Sequence, residues 1–216
     1  MIDEGYIKFD LEWQKDAPLA ASVIAGINHW RQRLYEAGLI GYYTDLKVGY
    51  GNISIRYGEL GQFVISGTQS GHLPVLSNEH YVLVTEHDAA RNHVTCRGPV
   101  EASSESLTHA VLYDLDAAIQ AVVHVHSKVL WQQLMHRVPT TDANVSYGTP
   151  EMAQEFARLY CESEFAKTGI AVMAGHDEGI VSIGTSVKEA AERILAIAGA
   201  SSPSPEGPSL GGNGRS

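Results

Sequence analysis

The chain has 216 residues, 44% hydrophobic and 19% charged, with 25 acidic against 15 basic side chains and a formal net charge of -10. That length can bury one core without staples, and the acidic balance, with no run of Lys or Arg, excludes a face for nucleic acid or anionic lipid. Cys96 and Cys161 lie far apart and form no C-x-x-C pair, which excludes a zinc ribbon or a redox motif.

The N-terminal stretch "MIDEGYIKFDLEWQ" carries acids where a signal peptide needs basic residues, and no apolar run reaches spanning length. A cytoplasmic protein with no membrane segment is expected. Residues 17–37 place Leu19, Val23, Ile27, Trp30 and Leu34 at helical spacing, with Gly38 to close the helix. "KVGYGNISIRY" then changes to period two, and "QFVIS", "YVLV" and "HVTCR" read as further short strands between turn residues. From Ser104 the period is helical again through Leu107, Val111 and Leu115, and the helix delivers the chain to the apolar strand "AIQAVVHVH".

Thr149-Pro150-Glu151 is a helix start, with a capping hydroxyl, a proline tolerated at the first position and an acid at the positive end. Met152, Phe156 and Leu159 mark its buried side. "IAVMA" and "GIVSIG" read as strands flanking "GHDEG", and Ser186 to Glu189 forms a capping box for a last helix. One domain over residues 1–200 is expected, followed by a flexible Ser/Pro/Gly tail over 201–216 that cannot supply a core face.

Alternate strand residues share a face, so His124 and His126 project together while Val123 and Val125 point away. Two imidazoles on one face suit a cation. The plainer alternative is one buried histidine held by a carbonyl beside one exposed histidine. A catalytic zinc uses three protein ligands and leaves a position open. His176, in a Gly-flanked turn at a strand end, is the candidate third, its alternative being a surface turn histidine. Glu105 opens the helix before the histidine strand and is a candidate base or ligand, or simply a first-turn acid favoured by the helix dipole. Ser103-Ser104 at that helix start, Gly51-Asn52, and Ser66-Gly67 in "ISGTQSG" offer hydroxyls and backbone N–H groups for an anion.

In chain order, "GNISIR", "ISGTQSG", "SSE", "HVH" and "GHDEG" resemble the class II aldolase/adducin family over residues 20 to 199. The resemblance implies an α/β fold, a three-layer α/β/α sandwich around a central, mainly antiparallel sheet. It implies His124, His126 and His176 as ligands of a divalent metal, zinc first, with Mn2+, Co2+ or Fe2+ as alternatives. Glu105 takes the family's acid/base role, and Gly51, Asn52, Ser66, Gly67, Ser103 and Ser104 the phosphate-cradling regions. The implied activity is a metal-dependent lyase that cleaves a small phosphorylated ketose or hydroxy-carbonyl compound by retro-aldol chemistry through a metal-stabilised enediolate. A dehydratase or 4-epimerase on the same site is the alternative, and a non-catalytic adducin-like module the alternative of another class. The family also implies a homotetramer with sites between subunits.

The sequence departs from the family pattern at three places. Asp177 and Glu178 stand between His176 and Gly179 and either hydrogen-bond a neighbouring ligand, enter the metal shell or are solvated, the last being expected; the 66–71 loop differs from the usual Thr-Pro-Ser/Thr-Gly type; and no tyrosine follows Tyr160 to serve as the aldolase's late acid. Tyr113 and Tyr147 are the candidate replacements, each reading first as a packing residue.

Overall fold

In the computed structural model, which describes residues 5–59 and 61–201, the first half contains β1 (Asp10–Lys15), α1 (Ala21–Glu36), β2 (Gly41–Tyr43), β3 (Val48–Tyr50), β4 (Asn52–Arg56), β5 (Phe63–Ser66), β6 (Tyr81–Asp88) and β7 (His93–Gly98). The second half contains α2 (Ser106–Leu115), β8 (Ala121–His126), α3 (Lys128–Leu134), α4 (Pro150–Glu162), α5 (Phe165–Thr168), β9 (Ile170–Val172), β10 (Gly179–Gly184) and α6 (Val187–Ser201). Of the tail expected over 201–216, Ser201 ends α6 and the rest lies outside the described residues.

Eight strands form one sheet in the order β1-β7-β6-β5-β4-β8-β10-β9, and β2 pairs with β3 in a separate hairpin. Every pairing in the large sheet is antiparallel except β1 with β7. One face packs Val122, Val181 and Ile65 against Leu107 and Leu112 of α2, Met152 and Phe156 of α4, and Phe165 of α5. The other packs Val123, Val125, Ile53 and Ile180 against Ile27 and Leu34 of α1 and Ile194 of α6. Each such fully buried side chain contributes about 1.5–3 kcal/mol. The result is the expected three-layer sandwich with a mainly antiparallel sheet.

Local chemistry accounts for most boundaries. Gly38 closes α1 at φ 71°. Thr149 Oγ1 accepts from Met152 N–H at 3.3 Å, with Pro150 opening α4. At α6 the expected box is half formed. Glu189 N–H donates to Ser186 Oγ at 3.2 Å, while the Glu189 carboxylate turns back to Thr185 N–H at 2.8 Å.

The expected set lacked β1, β2, α3 and the short α5, and it took β3 and β4 as one run. The alternation of β1 leaves it largely exposed. It is a strand because it pairs in parallel with β7, from Asp10 beside His93 to Lys15 beside Gly98. That pairing is long-range, and local periodicity does not encode it.

Candidate metal centre

Strand β8 lies between β4 and β10, with all six residues buried. In register, His124 faces Asn52 on β4 and Val181 on β10, and His126 faces Gly179. Strand alternation sends Val123 and Val125 into the α1/α6 core and the two imidazoles to the opposite face. His176 arrives from the turn between β9 and β10. That turn is closed by Gly179 N–H donating to His176 C=O at 3.0 Å.

The three rings converge, with centroids 4.9 Å apart for His124–His126, 5.1 Å for His124–His176 and 4.6 Å for His126–His176. One ligand nitrogen from each lies within 4.8 Å of the others, and all three residues are buried. Small ring rotations would bring these three nitrogens onto one divalent cation. Burial holds the pKa of His124 and His126 well below the ordinary imidazole value, with the neighbouring rings adding to the effect. Both are therefore neutral and carry a lone pair. His124 Nε2 is buried and makes no hydrogen bond among the described residues, an arrangement that costs free energy unless something coordinates it. Three converging imidazoles, two of them held neutral by burial, fit a divalent cation of intermediate softness.

Glu105 stands at the head of α2, where its N–H donates to Ser103 Oγ at 3.4 Å. Its carboxylate oxygens lie 3.7 Å from His124 Nδ1 and 3.7 Å from His176 Nδ1. The residue is only 2% exposed, so the predicted acid reaches the triad across three elements far apart in sequence.

Beside it is a small polar cavity lined by Gly51, Asn52, Gly67, Ser103, Ser104 and Glu105, with Gly5, residues 49–50 and 68–71, and His124 completing the wall. Gly71 packs so tightly that a Cβ would stand 2.9 Å from the Gly49 Cα and press on the Gly41 carbonyl. Gly51, at φ 75°, would bring a Cβ to 2.8 Å from Ile40 Cγ1. Arg31, buried in α1, donates to the carbonyls of Leu73 at 2.6 Å and Ser70 at 3.2 Å and pins the loop from behind. Ser66 is brought near but does not line the cavity. Its Oγ accepts from Ile53 N–H at 3.3 Å. Asn52 has a second contact, its Nδ2 lying 3.3 Å from His124 Nδ1.

The two candidate tyrosines separate. The Tyr113 hydroxyl is committed to Ser54 Oγ at 2.7 Å, and burial raises its pKa. Tyr147 stands at the centre, its ring stacked on His176 at 4.5 Å and 24°, with its hydroxyl accepting from Tyr6 N–H at 3.2 Å.

Sequence reasoning missed Tyr43 and Tyr50, and it preferred a solvated Glu178 over one hydrogen-bonded near a ligand. Tyr50 stacks on His126 at 5.5 Å, and the Tyr43 hydroxyl lies 3.1 Å from His126 Nδ1. The same hydroxyl donates to Glu178 Oε2 at 2.7 Å. Glu178 is therefore engaged rather than solvated, whereas Asp177 is exposed as expected. The Gly-Tyr alternation of "GYYTDLKVGYG" was the available signal for the hairpin that carries both tyrosines.

A mixed α/β sandwich presenting three buried histidines and a buried carboxylate beside a small polar cavity defines a class: folds whose converging imidazoles could hold a divalent metal. Residues 32–201 match the family described as Class II Aldolase and Adducin N-terminal domain, and the chain belongs to that family. Among solved structures, a sugar-phosphate aldolase from Thermotoga maritima superposes with TM-score 0.64 at 18% identity, covering 83% of this chain and 92% of that one. An L-fuculose 1-phosphate aldolase gives 0.61 at 18%, covering 85% and 86%. The L-fuculose-1-phosphate aldolase from Thermus thermophilus gives 0.54 at 20%, covering 86% and 100%. At these identities the likeness is one of fold. No helix among the described residues is long and apolar enough to cross a membrane.

Proposed function

We propose that this protein is a zinc-dependent lyase that cleaves a small phosphorylated ketose by retro-aldol chemistry. The observation that carries the reading is the convergence of His124, His126 and His176 on Glu105, next to a cavity with no Lys or Arg among the described residues of its wall. When bound, a divalent cation supplies Lewis acidity toward adjacent carbonyl and hydroxyl oxygens. Glu105 carries the proton, since its buried carboxylate faces the triad at the head of α2. The phosphate is held by the Ser103 and Ser104 hydroxyls against the 67–71 loop, which lines the same cavity. Residues 49–51 and 67–71 form the wall that fixes the substrate's reach toward the histidines.

A second reading, dehydration or epimerisation at the same site, is favoured by the absence of any tyrosine over residues 161–216. Tyr147, stacked on His176, is then the candidate acid. The working protein is a cytoplasmic homotetramer in both readings, which light scattering at assay concentration tests. The deciding experiment is elemental analysis of the purified protein, followed by a ketose-phosphate screen for aldehyde release. Close to one zinc per chain with aldehyde formed supports the lyase; metal with a dehydrated or epimerised product supports the second reading; no metal after reconstitution overturns both.

A further inference from the structure

The turn that brings in His176 carries a residue in an unfavourable conformation. Glu178 stands at φ 68°, in the third position of the turn closed by Gly179 N–H and His176 C=O. Glycine is the residue that adopts this geometry without cost. A glutamate kept in a left-handed backbone is strained, and such strain persists where the side chain does something that glycine cannot.

What the side chain does is accept the Tyr43 proton, at 2.7 Å. A phenol has one hydrogen to give. With that hydrogen directed to Glu178, the Tyr43 oxygen meets His126 Nδ1, 3.1 Å away, as an acceptor. His126 must then carry its hydrogen on Nδ1, which leaves the lone pair on Nε2. We propose that Glu178, acting through Tyr43, is a positioning residue that fixes the tautomer and ring orientation of His126 for metal binding. Tyr50, stacked on the ring at 5.5 Å and 30°, holds its plane. The relay spans the β2–β3 hairpin, β8 and the β9–β10 turn, so it also ties three separate segments to one ligand.

This inference rests on the reading of the triad as a metal site, and the two are tested together. The experiment is Co2+ titration by calorimetry into the chelator-stripped full-length chain, for the wild type, Glu178→Gly, Glu178→Gln and Tyr43→Phe. Loss of an outer hydrogen bond to a metal ligand weakens binding about 10- to 100-fold, and that loss is expected for Glu178→Gly and Tyr43→Phe. Glu178→Gln stays within about threefold of wild type, because its amide oxygen accepts the same hydrogen. Glu178→Gly removes the backbone strain while it removes the carboxylate, so its fold, checked by circular dichroism, is kept while its affinity falls. A general packing role would not separate those readouts. Nitrogen NMR of the metal-free wild type, which needs no variant to fold, should show His126 protonated at Nδ1.

A wild type that binds no Co2+ sinks the metal reading, and the relay with it. A wild type that binds, with Glu178→Gly and Tyr43→Phe binding equally well, overturns the relay alone. So does an Nε2-protonated His126, or a Gln variant as weak as the Gly variant.

Discussion

Two residues apart on β4, Asn52 and Ser54 each stand against a buried histidine, and the two neighbourhoods differ in what surrounds the ring. Asn52 meets His124 within the triad. Ser54 meets His109 of α2, its Oγ lying 2.7 Å from His109 Nδ1 and 2.7 Å from the Tyr113 hydroxyl. Burial pushes the pKa down at both, to about 3 for His109, so a displaced pKa alone does not mark the functional histidine. What separates them is convergence. His124 faces two more imidazoles and a carboxylate, whereas the hydrogen bonds at Ser54 join the His109 ring to the Tyr113 hydroxyl and hold the sheet to α2.

If that contrast is right, deleting one cluster abolishes chemistry and deleting the other erodes the fold. The largest effect is expected for His124→Ala with His126→Ala. Zinc content drops to background, and turnover on the best screened substrate falls about 10⁴-fold, roughly 5 kcal/mol of barrier. Circular dichroism should stay native, and full metal content in the double variant would break the comparison.

His109 gives the complementary result through pH. Its folded pKa is about 3 against an ordinary 6.5. Above pH 6.5 both folded and unfolded states are neutral there, and stability is fully present. As pH falls from 6.5 toward 3, only the unfolded state takes the proton, and stability declines by up to roughly 5 kcal/mol. In metal-free protein, His109→Leu should flatten that part of the decline in urea melts taken between pH 7 and 4. An unchanged slope would show that His109 is not buried neutral.

Smaller again is Glu105→Gln, which removes the proton carrier. Metal should stay bound while turnover falls about 10³-fold. A variant that loses its metal instead would make Glu105 chiefly a ligand. Least of all, Ser54→Ala deprives His109 and Tyr113 of a partner and should cost about 1–3 kcal/mol in denaturant melts, with Co2+ affinity unchanged. A parallel loss of affinity would join the two neighbourhoods into one.

The sequence made the His124–His126 pair legible because strand alternation is local: two residues apart on β8 is one face, whatever the fold. The helix starts at Thr149 and Ser186 were equally local, read from side chains that cap the backbone beside them. Tyr43 and Glu178 were not legible. They are 135 positions apart, and the acid sits in a turn whose composition suggests solvent. The strand state of β1 was hidden for the same reason, since its partner is β7.

By itself, then, the sequence determined the periodicities, the caps, the shared face of His124 and His126, and the order of motifs that places this chain in its family. Only the tertiary structure decided that His176 and Glu105 arrive within 3.7 Å of each other, that Tyr147 rather than Tyr113 stands at the centre, and that Glu178 reaches His126 through Tyr43. The reason is physical. Helix and strand periods and caps act over a few residues, but the convergence of side chains depends on which strands pair and how far each turn carries the chain.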